Sequence, residues 1–506
     1  MKFEGGYSIR LISGVYWIGR RQNLQSKQKS AVLIDGNRST VATVLLLAWP
    51  IFLEQILTTL VGYADTAMVG VLGATATAAV SISNSVIMLV NGSIMAMGVG
   101  ITALVSRSIG SNDVDIAKKL VRHTVLLLLY IGLPVGIILG LLSRMIPLWM
   151  GAEPDVLEAA TQYNMITAFG RPFQIASMLF CSVYRGCGDT KTPLWINSGV
   201  NVLNVIGNFF LIYPTRPVNI LGLSFSMPGA GWGVNGAAAA TAFSMAVGGV
   251  IAVALVFCRE SPFRISLKQS YKVDWLLTRQ IFRISFPAIM ERLCMSGAQI
   301  VITASIASLG TITVAANTVY LTAESIAYMP GFAFATAVTT LVGQALGAGK
   351  PKLAEKYAYT CLLSSILVMV VAGAGLFFFA GPLVSIFTPD QQVIALASQC
   401  LCIVAFLEPP QSGAQVLAGA LRGAGDTVWP MIITIAGMWG IRAIGAVICI
   451  RFLGMGLPAA CTCMLIESFV RLVLFWLRFR TGKWKHAIQR IETSDTKEEK
   501  TPLTET

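Results

Sequence analysis

The chain has 506 residues, is 55% hydrophobic and only 12% charged, and has a mean hydropathy of +0.71. Soluble domains average roughly a quarter charged residues, so this composition excludes a water-soluble enzyme and places the chain in a membrane. Its formal charge of +13, from 37 Lys+Arg against 24 Asp+Glu, fits either a nucleic-acid partner or retention of basic residues on the cytoplasmic side of a bilayer. The positions of those residues decide between the two.

Residues 1–40 are polar and basic, with no cleavable signal peptide, so the first apolar run directs its own insertion. Within them, Arg10 to Arg21 fits an interfacial helix or a frayed tail. A bilayer core of about 30 Å needs about 20 apolar residues in a helix. Twelve runs of that kind follow: 41–70, 76–106, 122–143, 161–184, 193–213, 230–258, 284–309, 314–346, 357–380, 394–421, 428–450 and 457–477. The third sets Gly132, Gly136 and Gly140 four residues apart, a close-packing face. Residues 259–283 form the longest internal polar stretch and read as a cytoplasmic linker containing a surface helix. The expected division is a basic extension 1–40, an N-terminal lobe 41–258, the linker 259–283, a C-terminal lobe 284–480 and a tail 481–506, the last part of it disordered.

With the N-terminus inside, the cytoplasmic segments hold 30 Lys+Arg and the opposite side only Arg144, Arg216 and Arg451. That asymmetry puts both termini in the cytoplasm and removes the need for nucleic acid. The chain also repeats itself. An offset of 237 carries Pro50 to Pro287, Glu54 to Glu291, Thr102 to Thr339, Gly110 to Gly347 and Pro172 to Pro409. It also carries Arg185-Gly186-x-Gly188-Asp189-Thr190 to Arg422-Gly423-x-Gly425-Asp426-Thr427. A constant offset over this length is a duplication. Six helices per copy is an even number, so the two lobes enter the membrane in the same sense and are related by an axis along its normal. The expected fold is an all-α polytopic membrane protein, twelve transmembrane helices in two six-helix lobes, an arrangement that suits a transporter.

A charge inside a spanning helix costs about 2.5 to 3.5 kcal/mol on insertion scales, so each such residue is paired, wet or functional. The candidates are Glu54, Asp65, Arg171, Glu291, Arg292, Glu324, Glu408, Arg442, Glu467 and Arg471. Glu467 and Arg471, spaced i, i+4, neutralise each other. Glu54 and Asp65 share a face of the first helix about 16 Å apart, and no cation adjoins either in sequence. Glu291 has Arg292 beside it as a local partner, and as the duplicate of Glu54 it marks either a shared packing position or a coupling site. Glu408 precedes Pro409-Pro410, where the helix kinks, so it binds an ion or stabilises the kink. Asn197, Asn201, Asn204 and Asn208 line one face of the fifth span, as interhelical hydrogen-bonding groups or as the wall of a substrate or proton site.

The RGxGDT turns lack a GKS/T sequence and so do not suggest nucleotide binding. Thr192-Pro193 reads as N-cap and first helical residue, and Arg185 with Asp189 as a clasp. Eight of the ten Cys lie in apolar runs and read as packing residues, with no CxxC pair to hold a metal. His123 and His486, the only histidines, fall at cytoplasmic positions and read as solvated or headgroup-level, which leaves metalloprotease or Ser/His chemistry without its parts.

The pattern Pro50 … Asp65-Thr66 … Val69-Gly70 … Leu72-Gly73, the paired RGxGDT turns, and Met329-Pro330-Gly331 with Leu341-Val342-Gly343-Gln344-Ala345-Leu346-Gly347 resemble the multidrug and toxic compound extrusion (MATE) family, prokaryotic DinF/NorM-like type. The likeness spans most of residues 41–480. It implies a V-shaped pair of bundles (the MATE/MOP-type fold) and export of organic, cationic compounds by alternating access in exchange for H+ or Na+. It places the proton-linked carboxylate at Asp65, with Asn204 among its helix-5 partners. The family's second acid is replaced by Asn208, and Glu291 lies on the helix that other branches use for coupling. On this reading the ion-coupling residues are Asp65 and Glu291, and the cavity residues are Glu54, Asn201, Asn204, Asn208, Glu324 and Glu408. Expected partners are small organic substrates and the lipid bilayer of a prokaryotic inner membrane, for a monomer with no cofactor beyond the coupling ion. The alternative of the same fold is a flippase for lipid-linked precursors, whose anionic cargo calls for a basic cavity. Six acids against four Arg in the spans favour cationic cargo. An intramembrane enzyme or receptor lacks catalytic residues and an extramembrane domain.

Overall fold

The computed structural model describes residues 39–220, 223–259, 264–266 and 273–488. The segment Arg10 to Arg21 and most of the tail lie outside these. The N-terminal lobe runs through α1 (Thr40–Gly70), α2 (Ala74–Gly110), α3 (Val114–Leu141), the short α4 (Met145–Trp149), α5 (Pro154–Gly186) and α6 (Lys191–Leu211). It closes with α7 (Gly233–Cys258). Between α6 and α7, β1 (Pro214–Ile220) and β2 (Leu223–Ala230) pair antiparallel, a hairpin that the apolar-run pattern left as a loop. The C-terminal lobe comprises α8 (Trp275–Ala307), α9 (Thr311–Ala327), α10 (Met329–Gly347), α11 (Pro351–Phe378), the short α12 (Ala380–Ser385), α13 (Gln391–Ala405), α14 (Glu408–Gly423), α15 (Val428–Phe452) and α16 (Leu457–Arg480).

Ten of these helices are long and apolar enough to cross a bilayer, and α13 with α14, bent by 50° at their junction, makes an eleventh span. The twelfth expected span is α5, whose 33 residues include Asp155, Glu158, Arg171 and Arg185 and so dilute its hydropathy. Packing along α2 and α7 keeps it helical. The run expected over 314–346 is broken at Tyr328, and Pro330 sits in the first turn of α10, where its missing N–H costs nothing.

Helix starts follow local chemistry. Ser39 accepts from the Ala42 N–H, Asp113 from Ile116, and Asp390 from Gln392, each satisfying an otherwise unmet first-turn donor. Asp274 accepts from Leu277, so α8 begins at Trp275, well inside the stretch expected as linker. Gly73 and its duplicate Gly310 turn the chain between α1 and α2 and between α8 and α9 at φ +105° and +100°, a conformation that favours glycine. The glycine face of α3 packs on α5, where Gly136 lies against the Pro172 ring and Gly132 against Ile175.

The duplication survives as repeated contacts. Thr102 Oγ1 donates to the Ser182 carbonyl and Thr339 Oγ1 to the Gly419 carbonyl, both at 2.9 Å. The lobes meet on the face that carries the basic turns. There Gly110 approaches the backbone of Gln344, Gly347 approaches the backbone of Arg107, and Gly343 approaches Ser106. Arg107 and Gln344 are themselves duplicates, so this contact is two-fold in character. Thr340 Oγ1 donates to the Arg185 carbonyl at 2.9 Å, Gln344 Nε2 to the Gly186 carbonyl at 3.2 Å, and Ser285 Oγ to the Met97 carbonyl at 3.1 Å. His123, expected to be solvated or headgroup-level, is buried at the same face. Its Nε2 accepts from the Asp274 N–H at 2.9 Å while Nδ1 meets the Lys119 carbonyl, tying α3 to the start of α8. Away from that face, Leu60, Met88 and Ile300 are exposed, and Tyr63 Oη and Ser325 Oγ share a 3.1 Å hydrogen bond between the lobes.

A Cβ at Gly110 or Gly347 would collide with backbone of the other lobe. Gly110→Leu and Gly347→Leu are therefore expected to hold the basic face apart. Pulsed electron resonance between spin labels at Asp115 and Lys352 should show a longer distance, whereas Gly381→Leu, into open space, should leave it unchanged.

Candidate functional site

Helices α1 and α6 run parallel and are joined by a polar seam in constant register. Asn197 Nδ2 donates to Glu54 Oε1 at 2.6 Å, Asn201 Nδ2 to Thr58 Oγ1 at 3.3 Å, and Asn208 Nδ2 to Asp65 Oδ1, each pair 143 residues apart. Steps of four and seven residues keep one helix face toward its neighbour, so the asparagine face expected on the fifth span zips to the acidic face of the first. Asn204 turns to α7, donating to Thr241 Oγ1 at 3.1 Å, and accepts from Asn208 at 3.4 Å. Interhelical bonding therefore accounts for all four amides. Asp65 alone of the seam's acids is partly exposed, and Asn208 beneath it is fully buried with Oδ1 unbonded. Tyr163 on α5 lies within electrostatic reach of both Asp65 and Arg171 and within hydrogen-bond reach of Thr241. Arg171 Nη1 donates to Gln174 Oε1 at 2.7 Å.

Glu54, expected as a cavity residue, lies in an ion pair. It is 4% exposed and meets Arg185 at 2.6 Å. Glu291, expected as a coupling residue with Arg292 beside it, pairs instead with Arg422, also at 2.6 Å. Adjacent side chains on a helix point apart, so Arg292 cannot serve it. The two pairs are duplicates, each spanning 131 residues. Arg185 and Asp189 thus do not clasp each other. Asp189 takes Arg259 at 2.9 Å and caps α6 through the Thr192 N–H and hydroxyl. Its duplicate Asp426 takes Arg478 at 2.6 Å. The signal that could have revealed these partners is that Glu and Arg repeat together at one offset.

The duplication is broken in the centre of the C-terminal lobe. The position matching Asp65 is Ile302, and the position matching Arg171 is Glu408. Glu408 opens α14 directly after the break, is 0% exposed, and has neither carboxyl oxygen hydrogen-bonded among the described residues. Glu324, near the end of α9, is buried with Oε2 likewise unbonded and lies within electrostatic range of Glu408 and Arg442. Arg442 itself points to the Met464 sulfur at 2.8 Å. Glu467 and Arg471 pair along α16 at 3.3 Å, as their spacing implies.

Replacing one member of a buried ion pair strands the other. Glu54→Ala or Glu291→Ala is expected to cost about 3 kcal/mol, read as a lower melting temperature in detergent. Arg185→Leu added to Glu54→Ala should recover part of that loss.

Comparison with known proteins places these features in a wider set. The sequence model of the MatE family matches residues 50–210 and again 287–448, one match per lobe. A probable multidrug resistance protein NorM of Thermotoga maritima is 28% identical over 442 residues, covering 87% of this chain and 92% of its own. The multidrug resistance protein PmpM of Pseudomonas aeruginosa is 26% identical, covering 80% and 83%. Among solved structures, a MOP-superfamily transporter from Pyrococcus furiosus superposes with TM-score 0.81 at 22% identity over 90% of this chain and 98% of that one. A MATE transporter in an outward-facing conformation gives 0.80 at 22% identity, covering 88% and 97%.

Proposed function

The chain belongs to the MatE family, and from that premise we propose that it is a secondary active multidrug efflux antiporter exporting organic cations in exchange for H+. The observation that carries this reading is Asp65, the N-terminal lobe's one intramembrane acid without an ion pair among the described residues, partly open and held by the Asn208 amide. The multidrug-resistance names of relatives matched over most of their length support the substrate class. The chain sits in the inner membrane of a prokaryotic cell as a monomer, both termini cytoplasmic, with no cofactor.

An ionised Asp65 attracts a cationic substrate, and the buried Asn208 amide behind it fixes the carboxylate in place. Asn208, standing where the resemblance leads one to expect a second acid, serves both protonation states. Its Nδ2 donates to the carboxylate, and with the amide turned, its now unbonded Oδ1 accepts from the protonated carboxyl. Protonation from outside removes the charge and releases the substrate. Such coupling requires that proton and substrate differ in affinity between the two open states. A donor amide aimed at Asp65 suits a proton better than a hard metal cation, which wants oxygen ligands. In the C-terminal lobe, among the described residues, both carboxyl oxygens of Glu408 and Oε2 of Glu324 are buried without a donor, which makes these the acids of that lobe to test in place of Glu291.

In proteoliposomes with an imposed pH gradient, Asp65→Asn is expected to lower ethidium export by about tenfold or more and to flatten its pH dependence. Glu54→Gln should act on stability first. Unchanged pH-driven export in Asp65→Asn would sink the assignment, and export driven equally by a Na+ gradient at fixed pH would replace H+ with Na+.

A further inference from the structure

On the outer flank of the C-terminal lobe, a cavity of about 590 Å³ opens between α11, the α13–α14 break and α16. Its lining includes Val370, Ala374 and Phe378 of α11, Phe406 and Pro409 at the break, and Phe469 of α16, and no lining side chain is polar. That volume lies within the span of small-molecule sites, about 300–1,000 Å³, but such sites normally present a few oriented polar groups. Water finds no partner here, and an empty apolar void destabilises in proportion to its volume.

The mouth faces hydrocarbon. From Leu363 to Phe378 every exposed side chain of α11 is apolar, and the same holds for α16 from Ile466 to Leu477. The cavity borders the break. In the N-terminal lobe the duplicate position is filled, because Gly136 lies against the Pro172 ring along an unbroken α5. In the C-terminal lobe Gly373, the duplicate of Gly136, meets instead the carbonyl of Ala405, with the Cβ of Glu408 just behind. The bend thus puts Pro409, the duplicate of Pro172, on the cavity wall and the Ala405 carbonyl against Gly373.

We propose that this cavity is a binding site for a lipid acyl chain, which packs against the α13–α14 break as a structural ligand. Only material with no polar group of its own meets these walls without leaving a donor or acceptor unsatisfied, and the bilayer supplies it at the mouth. The seated chain packs against Phe406 and Pro409 at the break and covers the buried Glu408 from the membrane side.

The full chain is reconstituted in nanodiscs containing a phosphatidylglycerol that carries a diazirine near the end of one acyl chain, irradiated, and mapped by peptide mass spectrometry. Adducts are expected to concentrate on peptides holding Phe378, Phe406 and Phe469 over the peptide of Phe243, an exposed side chain of α7. Ala374→Phe, which fills the mouth, should lose the cavity adducts and keep those at Phe243. Val370→Phe is a second filling variant should the first not purify as a single species. Delipidation should lower the melting temperature of the wild type more than that of the filled variant. Equal labelling at Phe243 and the cavity, or labelling unchanged by both fillings, would overturn the proposal. So would displacement of the adducts by ethidium, which would make the cavity a drug site.

Discussion

A carboxylate carried into the membrane interior must meet a cation, a donor or a proton, and most of this structure is arranged around that requirement. In each lobe an acid midway along the first span meets the arginine near the end of the fourth, at 2.6 Å in both copies. Those arginines stand on the turns that also face the other lobe, where the Arg185 carbonyl accepts from Thr340. The ion pairs therefore hold in shape the surface on which the lobes close. Glycines 110, 343 and 347 allow the backbones to come close enough for that closure.

Within that shared frame the lobes diverge in their chemistry. The N-terminal lobe uses its polar residues in a seam, Glu54, Thr58 and Asp65 against Asn197, Asn201 and Asn208, with a titratable group only partly open at its end. The C-terminal lobe has Ile302 where the other lobe has Asp65, and places the acids that lack an ion pair among the described residues, Glu324 and Glu408, near two helix breaks. A break spoils packing, and beside Glu408, whose carboxyl is unbonded among the described residues, an apolar cavity opens on the lipid side. Duplication supplied two copies of a scaffold, and the substitutions at 302 and 408 made the copies unlike.

Several features were legible because they depend on residues near one another in sequence. The spans follow from apolar length, the glycine face of α3 from four-residue spacing, the Glu467–Arg471 pair from its i, i+4 geometry, and the restart at Glu408 from the two prolines after it. The asparagine face of α6 was legible as a face, but its partner was not, because nothing local says that α1 lies against it. His123 was misjudged for a similar reason: its surroundings are built by α8, which is 151 residues away.

By itself the sequence determined that the chain crosses a membrane, that it does so in two related halves, and that few acids lie within reach of the hydrocarbon. Hydropathy, charge asymmetry and a constant offset are all properties of order along the chain. Tertiary structure decided which of those acids are occupied. Glu54 and Glu291 are neutralised by arginines 131 residues away, while among the described residues Asp65 is left to an amide, Glu408 has neither carboxyl oxygen bonded, and Glu324 has Oε2 unbonded. The physical reason is that the cost of a buried charge is set by what surrounds it, and in a bundle of long helices those surroundings come from segments remote in sequence.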